Sequence, residues 1–308
     1  MKFSLELPLG MTTPPGEFQS MAAISAMASA LEAAKVDACF VTDHPAPDTN
    51  WLHQGMGHDA LDPFTSLAFV AAASSRIRLH TNIVVLPYRN PFITAKASAT
   101  LQVLSGGRLI LGVGVGYQKG EFDALGVDFH KRGALTDEAL EVMRLAWSGE
   151  VVVKQGSTFN AAGNEPRPAP SPQPTIWIGG ASDKALERAA RWGDGWSPFY
   201  AAPGMSKVNQ TAAVQSVEHL RELIQRLQEL RAGFGKTGPF DIVIGPRMRI
   251  KDRTRETAER YLEMADELAQ AGVTWATADL GHASRAAYVE AVQWFGEEVI
   301  ARASASAT

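Results

Sequence analysis

The hydrophobic pattern of this chain switches repeatedly between a two-residue and a 3.6-residue period, and that alternation restricts the fold more than any other feature. Residues 2–8 read as a strand, residues 17–34 as a helix with Met21, Ile24, Met27, Ala28 and Leu31 at three- and four-residue spacing, and residues 37–42 as a second strand. Asp62-Pro63 opens a helix that runs to 74, residues 77–86 form a strand, and Pro91 opens a helix to 104. Proline suits the first helical turn because its missing N–H has no partner to lose there. A strand at 108–114 and an amphipathic helix at 132–147 come next. Further strands are expected at 175–179, 195–199, 240–250 and 273–278, and helices at 183–192, 213–231, 254–271 and 285–301. Apolar strands that are each followed by a helix belong in a parallel sheet covered by helices.

Eight β/α units in 308 residues is the count of a (β/α)8 TIM barrel, expected here as one domain over 1–302. The Pro-, Gly- and Asn-rich stretch 148–174 lacks periodicity and reads as an insertion with a short hairpin near 151–153, and the tail 303–308 as disordered. The competing fold, a doubly wound sheet, is usually marked by GxGxxG. The tempting stretch GVGVG at 112–116 fails that spacing, and no GxxxxGK[ST] loop occurs. Three glycines at alternate positions of a strand end suit either close approach of a ligand to the backbone or tight packing inside the barrel.

Composition narrows the chemistry. A net charge of −4 and no run of basic residues give no electrostatic footprint for nucleic acid or for an anionic membrane. The one cysteine, Cys39, excludes internal disulfides and cysteine metal clusters, and no apolar run reaches the length of a membrane span, so a cytoplasmic protein is expected. His44, His53 and His58 lie near Asp43, Asp48 and Asp59, but the later histidines fall in a loop of no fixed geometry, and no metal site is expected. A GxSxG nucleophile elbow is absent.

The carboxyl ends of barrel strands build the active site. The second strand ends in FVTDHPAP, which puts Asp43 and His44 there; Asn82, Gly114 to Tyr117, Gly179 to Ser182 and Arg247 stand at other strand ends. Taken singly, Asp43 could cap the turn before Pro45 and His44 could be a hydrogen-bonded rim residue. Together, at the open face, they shift the balance toward function.

The set FVTDH, RIRLHTNIVVLPYRNP, LSGGRLILGVGVGYQKGEFDALGVDFHKRGALTDEALEVMRLAW and IWIGGASDKALERAARWGDGW closely resembles the bacterial-luciferase-like superfamily, strongly over residues 1–200 and by pattern beyond. Within it the chain is most similar to the deazaflavin (coenzyme F420) dependent oxidoreductases, which carry the same Asp-His pair. The resemblance implies a TIM-like barrel with an insertion, a homodimer, a small-molecule substrate, and a flavin or deazaflavin at the carboxyl ends of the strands. It implies a bulge with a cis peptide at Asn82-Ile83 for the ring to pack on, with Gly112, Gly114 and Gly116 letting the backbone approach. Gly179, Gly180, Ala181 and Ser182 would offer N–H groups and a hydroxyl to the cofactor phosphate. Arg132 would supply positive charge there or make a surface salt bridge.

Relatives that oxidise sugar phosphates carry a glutamate just after the fourth-strand glycines, where this chain has Tyr117, with Glu121 four residues on. Monooxygenase relatives often hold FMN phosphate with an arginine in the glycine stretch, where this chain has Val115, and that favours F420 over FMN. Hydride transfer between a deazaflavin and a small organic substrate is therefore expected, with His44 handling the proton and Asp43 orienting it or bonding the ring's polar edge. Trp51, Phe64, Tyr88 and Trp177 are candidate apolar walls. An FMN-dependent monooxygenase fed by a separate flavin reductase is one alternative, and a non-catalytic flavin-binding protein another.

Overall fold

The computed structural model describes residues 1–11, 14–53, 57–200, 212–281 and 283–305. Its strands are β1 (Lys2–Glu6), β2 (Ala38–Val41), β3 (Arg78–Val85), β4 (Leu109–Gly114), β5 (Val152–Gln155), β6 (Asn160–Asn164), β7 (Thr175–Gly179), β8 (Gly195–Ser197), β9 (Asp241–Ile242) and β10 (Trp275–Ala278). The helices are α1 (Met21–Ala33), α2 (Thr49–His53), α3 (Pro63–Ala72), α4 (Pro91–Leu104), α5 (Lys119–Ala124), α6 (Arg132–Ala146), α7 (Asp183–Trp192), α8 (Val217–Gly233), α9 (Arg255–Gln270), α10 (Arg285–Phe295) and α11 (Ala301–Ala305).

Eight parallel strands run in the order β10-β1-β2-β3-β4-β7-β8-β9. The ends nearly close, through a bridge between Val243 and Trp275 and the Ile244 N–H donating to the Trp275 carbonyl at 3.1 Å. The fold is thus the (β/α)8 barrel that the strand and helix count led one to expect. Alternate strand residues divide between two cores. Leu5, Cys39, Val41, Leu79, Leu111 and Ile178 face outward and pack with helix residues such as Met27, Leu31 and Leu67. Ala38, Ile110, Trp177, Val243 and Trp275 pack against one another inside the barrel. Lys2 and Arg78 lie over the Trp275 ring at 5.0 and 5.8 Å. Filled there by indoles, the barrel presents its polar residues at the carboxyl end.

Helix starts follow the local code. Asp62 caps α3 and Asn90 caps α4, each followed by the proline that opens the helix. Ser182, Ser216, Thr254 and Ser284 cap α7 to α10 in the same way. Three segments differ from expectation. The short hairpin expected near 151–153 is present but longer, an antiparallel pair β5–β6 that runs to Asn164. The strand expected over 240–250 shortens to Asp241–Ile242, because Pro246 has no N–H to give a ladder and Gly245 packs straight onto the Thr277 carbonyl. Helix α11 continues to Ala305, three residues into the stretch expected to be a disordered tail; its i to i−4 ladder carries on, with the Ser304 hydroxyl also donating to the Ile300 carbonyl at 2.9 Å. Residues 306–308 lie outside the described residues.

Candidate active site

At the end of β2 the chain turns Asp43 and His44 to opposite sides, as consecutive residues of extended backbone must. Asp43 is buried and takes two guanidinium N–H bonds from Arg89, at 2.6 and 2.8 Å, and the Val85 N–H at 3.0 Å. Both of its oxygens are therefore engaged in tying β2 to the turn after β3. Asp43 makes no contact with the imidazole, which corrects the expectation that it orients His44.

That role falls to Glu121, on α5. Its carboxylate, 1% exposed, lies with Oε2 3.3 Å from His44 Nδ1; the same oxygen accepts the Tyr88 hydroxyl at 2.9 Å, and Oε1 accepts the Ala46 N–H at 3.3 Å. The side-chain amide of Gln118 also reaches His44 Nδ1, at 2.9 Å, while its Oε1 is buried without a partner. A half-turn of that amide would present the oxygen to an Nδ1–H instead. An Nδ1–H shared between Glu121 and Gln118 leaves the Nε2 lone pair to work, and Nε2 has no hydrogen-bond partner among the described residues. Burial and the neighbouring Glu121 push the Tyr88 hydroxyl far above its ordinary range, which keeps it a donor to the carboxylate. Tyr88 is thus a ligand of Glu121 rather than an apolar wall.

Around His44 stands an aromatic rim. The Trp51 ring lies 4.4 Å away, centroid to centroid, His58 sits edge-on at 5.1 Å and Tyr117 at 6.3 Å. The other two expected wall residues are elsewhere. Trp177 is wholly buried inside the barrel, its indole N–H donating to Asp241 at 3.2 Å, because residue 177 shares the inward register of β7 two places below the strand's end. Phe64 packs on the apolar layer between barrel and helices.

Beside this cluster β3 departs from regular pairing. Its register against β4 shifts between Thr81 and Val84, and the Asn82-Ile83 peptide is cis. Glycines on neighbouring strands make the room. A Cβ on Gly112 would collide with the Thr81 carbonyl oxygen, one on Gly114 with Ile83 Cδ1, and one on Gly179 would touch Ile83 Cγ2 at 3.5 Å. The three glycines of GVGVG therefore serve the bulge first: Gly116, at φ +76°, lies against Val85 and Phe122. At the far side Gly180 sits at φ +102° and its carbonyl accepts the Trp196 indole N–H at 2.7 Å. Ala181 is buried, and the Ser182 hydroxyl accepts the Ala185 N–H at 3.2 Å, so Ser182 is first a helix cap. Arg132 donates to the Phe129 carbonyl at 2.9 Å with its guanidinium 3.8 Å over the Phe129 ring, and no contact joins it to Gly180–Ser182. It makes no salt bridge among the described residues, since its own helix start already holds it.

Glu6 completes the constellation and was missed by the sequence reasoning. It ends β1 in the inward register of Ser4, whose hydroxyl lies 3.1 Å from His80 Nδ1 inside the barrel. Burial, reinforced by Asp279, pushes its carboxyl up to about 7. The signal was available: in FSLEL it is a charge among apolar residues near the end of the strand. Among the described residues no three His, Cys, Asp or Glu side chains converge as metal ligands, and no helix is long and apolar enough to cross a membrane.

Comparison with solved structures finds the same barrel. A monooxygenase from Streptomyces bottropensis matches 98% of this chain and 99% of its own with TM-score 0.70 and 21% identity. An F420-dependent secondary alcohol dehydrogenase, in complex with an F420-acetone adduct, matches 97% and 98% with TM-score 0.73 and 18% identity. In sequence, an uncharacterized protein of Mycobacterium tuberculosis is 33% identical over 186 residues, which is 60% of this chain and 59% of that protein. A phthiodiolone/phenolphthiodiolone dimycocerosates ketoreductase of a Mycobacterium species is 31% identical over 250 residues, 75% of this chain and 61% of the relative. The chain thus spans about three fifths of these relatives' length. Residues 1–306 match the family described as luciferase-like monooxygenase, and the chain belongs to that family.

Proposed function

We propose that this protein is an oxidoreductase that moves a hydride between a deazaflavin of the F420 type and a small organic substrate. The observation that carries this proposal is His44, held at a strand end by the buried Glu121 carboxylate with Nε2 left unpaired, beside the bulge of β3 between Thr81 and Val84. The residues suit a flat heteroaromatic ring. The bulged peptide offers a bed, and Ile83 lies across Gly114 and Gly179 beneath it. The main-chain N–H groups at Gly180 and the start of α7 suit a phosphate. When bound, a deazaflavin supplies a two-electron hydride donor or acceptor. The protein's part is then to hold the proton: His44 gives or takes it at Nε2, Glu121 keeps Nδ1 in place, and Trp51 and Tyr117 limit water around the imidazole. Glu6, neutral for much of its population near pH 7, is a second proton-holding group across the mouth.

Anaerobic titration of the purified protein with F420 and with FMN, each followed by fluorescence, tests the proposal. Tight binding of F420, with turnover of an electron acceptor, supports it. Binding of FMN alone would transfer the protein to the monooxygenase type, and saturation by F420 without turnover would leave a carrier.

A homodimer belongs to the same proposal. Helices α1, α3 and α4 pack side by side and carry only Glu32 and Lys96 as charges, while Phe69, Ile93, Val103 and Leu104 are exposed on them. Three helices of 13, 10 and 14 residues present a face of roughly 600 Å², close to the ~800 Å² per partner of a standard interface. A second copy of this face is its occupant. Sedimentation equilibrium should give twice the chain mass, and Phe69→Lys with Leu104→Lys should give monomers.

A further inference from the structure

The loop after the seventh barrel strand carries a charge pattern that hydride chemistry does not use. In PRMRIKDR, residues 246–253, cations occupy 247, 249, 251 and 253. Ile250 is buried in the core and Met248 packs on it, while Arg247, Arg249 and Lys251 are exposed. Together with residues 279–281 and 283 after β10 and the start of α10, this segment lines a half-open cavity of about 510 Å³ at the carboxyl end of the barrel, within the size range of small-molecule sites. Met11, Ile250, Leu280, Ala283 and Ala287 make its walls apolar, and Arg249, Lys251 and Arg253 supply positive charge.

The charges around this hollow are only partly paired with one another. Arg253 pairs with Glu290 at 3.0 Å. Asp252 accepts the hydroxyls of Thr254 and Thr257, and Asp279 accepts the Gly281 N–H at 2.9 Å. Arg249 and Lys251 have no hydrogen bond or ion pair among the described residues. Isolated surface cations are common and mean little. Two that line an apolar hollow, between strands seven and eight of a barrel where anionic groups often bind, in a chain of net charge −4, mean more. Asp279, directly after the end of β10, and Met11, on the loop after β1, both line the hollow, so it adjoins the barrel mouth.

We infer that the cavity between the β9 and β10 loops is a substrate subsite for an organic anion, with Arg249 and Lys251 binding a carboxylate or phosphate head and the apolar walls taking the body next to it. The inference rests on the oxidoreductase proposal only in assigning the anion to the substrate. Calorimetric titration of the full chain with phenyl phosphate, with benzyl alcohol as the neutral control, tests it. Wild-type protein should saturate with phenyl phosphate and not with benzyl alcohol. The Arg249→Ala/Lys251→Ala double variant should bind at least ten-fold more weakly with an unchanged circular dichroism spectrum, and Arg249→Lys/Lys251→Arg should keep the affinity. Absence of saturable binding by wild type, or equal affinity in the alanine double variant, overturns the subsite. If the alanine double variant also loses affinity for F420 or FMN, the anion is the cofactor's and the substrate assignment falls. Should neither cofactor bind while phenyl phosphate still distinguishes the variants, the oxidoreductase proposal fails and the anion subsite stands.

Discussion

Replacing Glu6 by glutamine isolates the effect of burying a carboxyl group at the barrel mouth. The side chain titrates near 7 in the folded chain, against an ordinary value of 4.5, because burial and then Asp279 disfavour its charge. The folded state therefore holds this proton more tightly than the unfolded state. Well below pH 4.5 the group is neutral in both states and contributes no penalty. As pH rises through the 4.5–7 window the unfolded chain releases its proton first and the penalty grows; above 7 it levels off. Linkage between those two values gives about 3 kcal/mol at pH 8 and less than about 1 kcal/mol at pH 5. Glutamine mimics the neutral acid at every pH. The Glu6→Gln protein should thus be more stable than wild type by about 3 kcal/mol at pH 8, and the gap should narrow by about 2 kcal/mol at pH 5. Urea unfolding followed by tryptophan fluorescence measures both, because Trp177, Trp196 and Trp275 are fully buried. Other titrating groups cancel in the difference between the two proteins. A stability gap that does not change with pH, or a variant weaker than wild type at pH 8, would refute the inward, desolvated placement of Glu6.

Three further substitutions probe the site. His44→Ala should lower kcat by about 10²- to 10⁴-fold while cofactor affinity changes far less, and a wild-type rate across pH 6 to 8 would remove His44 from proton transfer. Asp43→Asn halves a buried, bidentate ion pair with Arg89 and should destabilise the fold by roughly 3–5 kcal/mol, measured by denaturant unfolding; a loss of turnover at unchanged stability would return Asp43 to the chemistry. Gly114→Ala puts a methyl group into Ile83 Cδ1 and should displace the bulge, weakening cofactor binding by about ten-fold or more at a stability cost of roughly 1–3 kcal/mol; unchanged affinity would show that the ring does not lie over Ile83.

Much of the architecture was legible in the chain's own order, because hydrophobic period and helix capping act between residues a few places apart. Asp62-Pro63 and Asn90-Pro91 start helices where their local chemistry says they should, and the strand and helix alternation gave the barrel count. Strand ends were readable too, which is why Asp43 and His44 stood out. The bulge at Asn82-Ile83 was legible only through family resemblance, since no local propensity marks it.

Partnership was decided elsewhere. Glu121 lies 77 residues from His44, and Arg89 lies 46 from Asp43; only closure of the barrel brings each pair within hydrogen-bond distance. Adjacency in sequence misled for the same reason, because neighbours on extended backbone point apart. Inward or outward facing also depends on register in the closed sheet, which sends Trp177 into the filled interior and sets Glu6 at the mouth, though both sit on apolar strands. Period and capping are properties of a short stretch of chain in water. Charge pairing, desolvation and the room left for a bulge are properties of what the folded chain places beside that stretch.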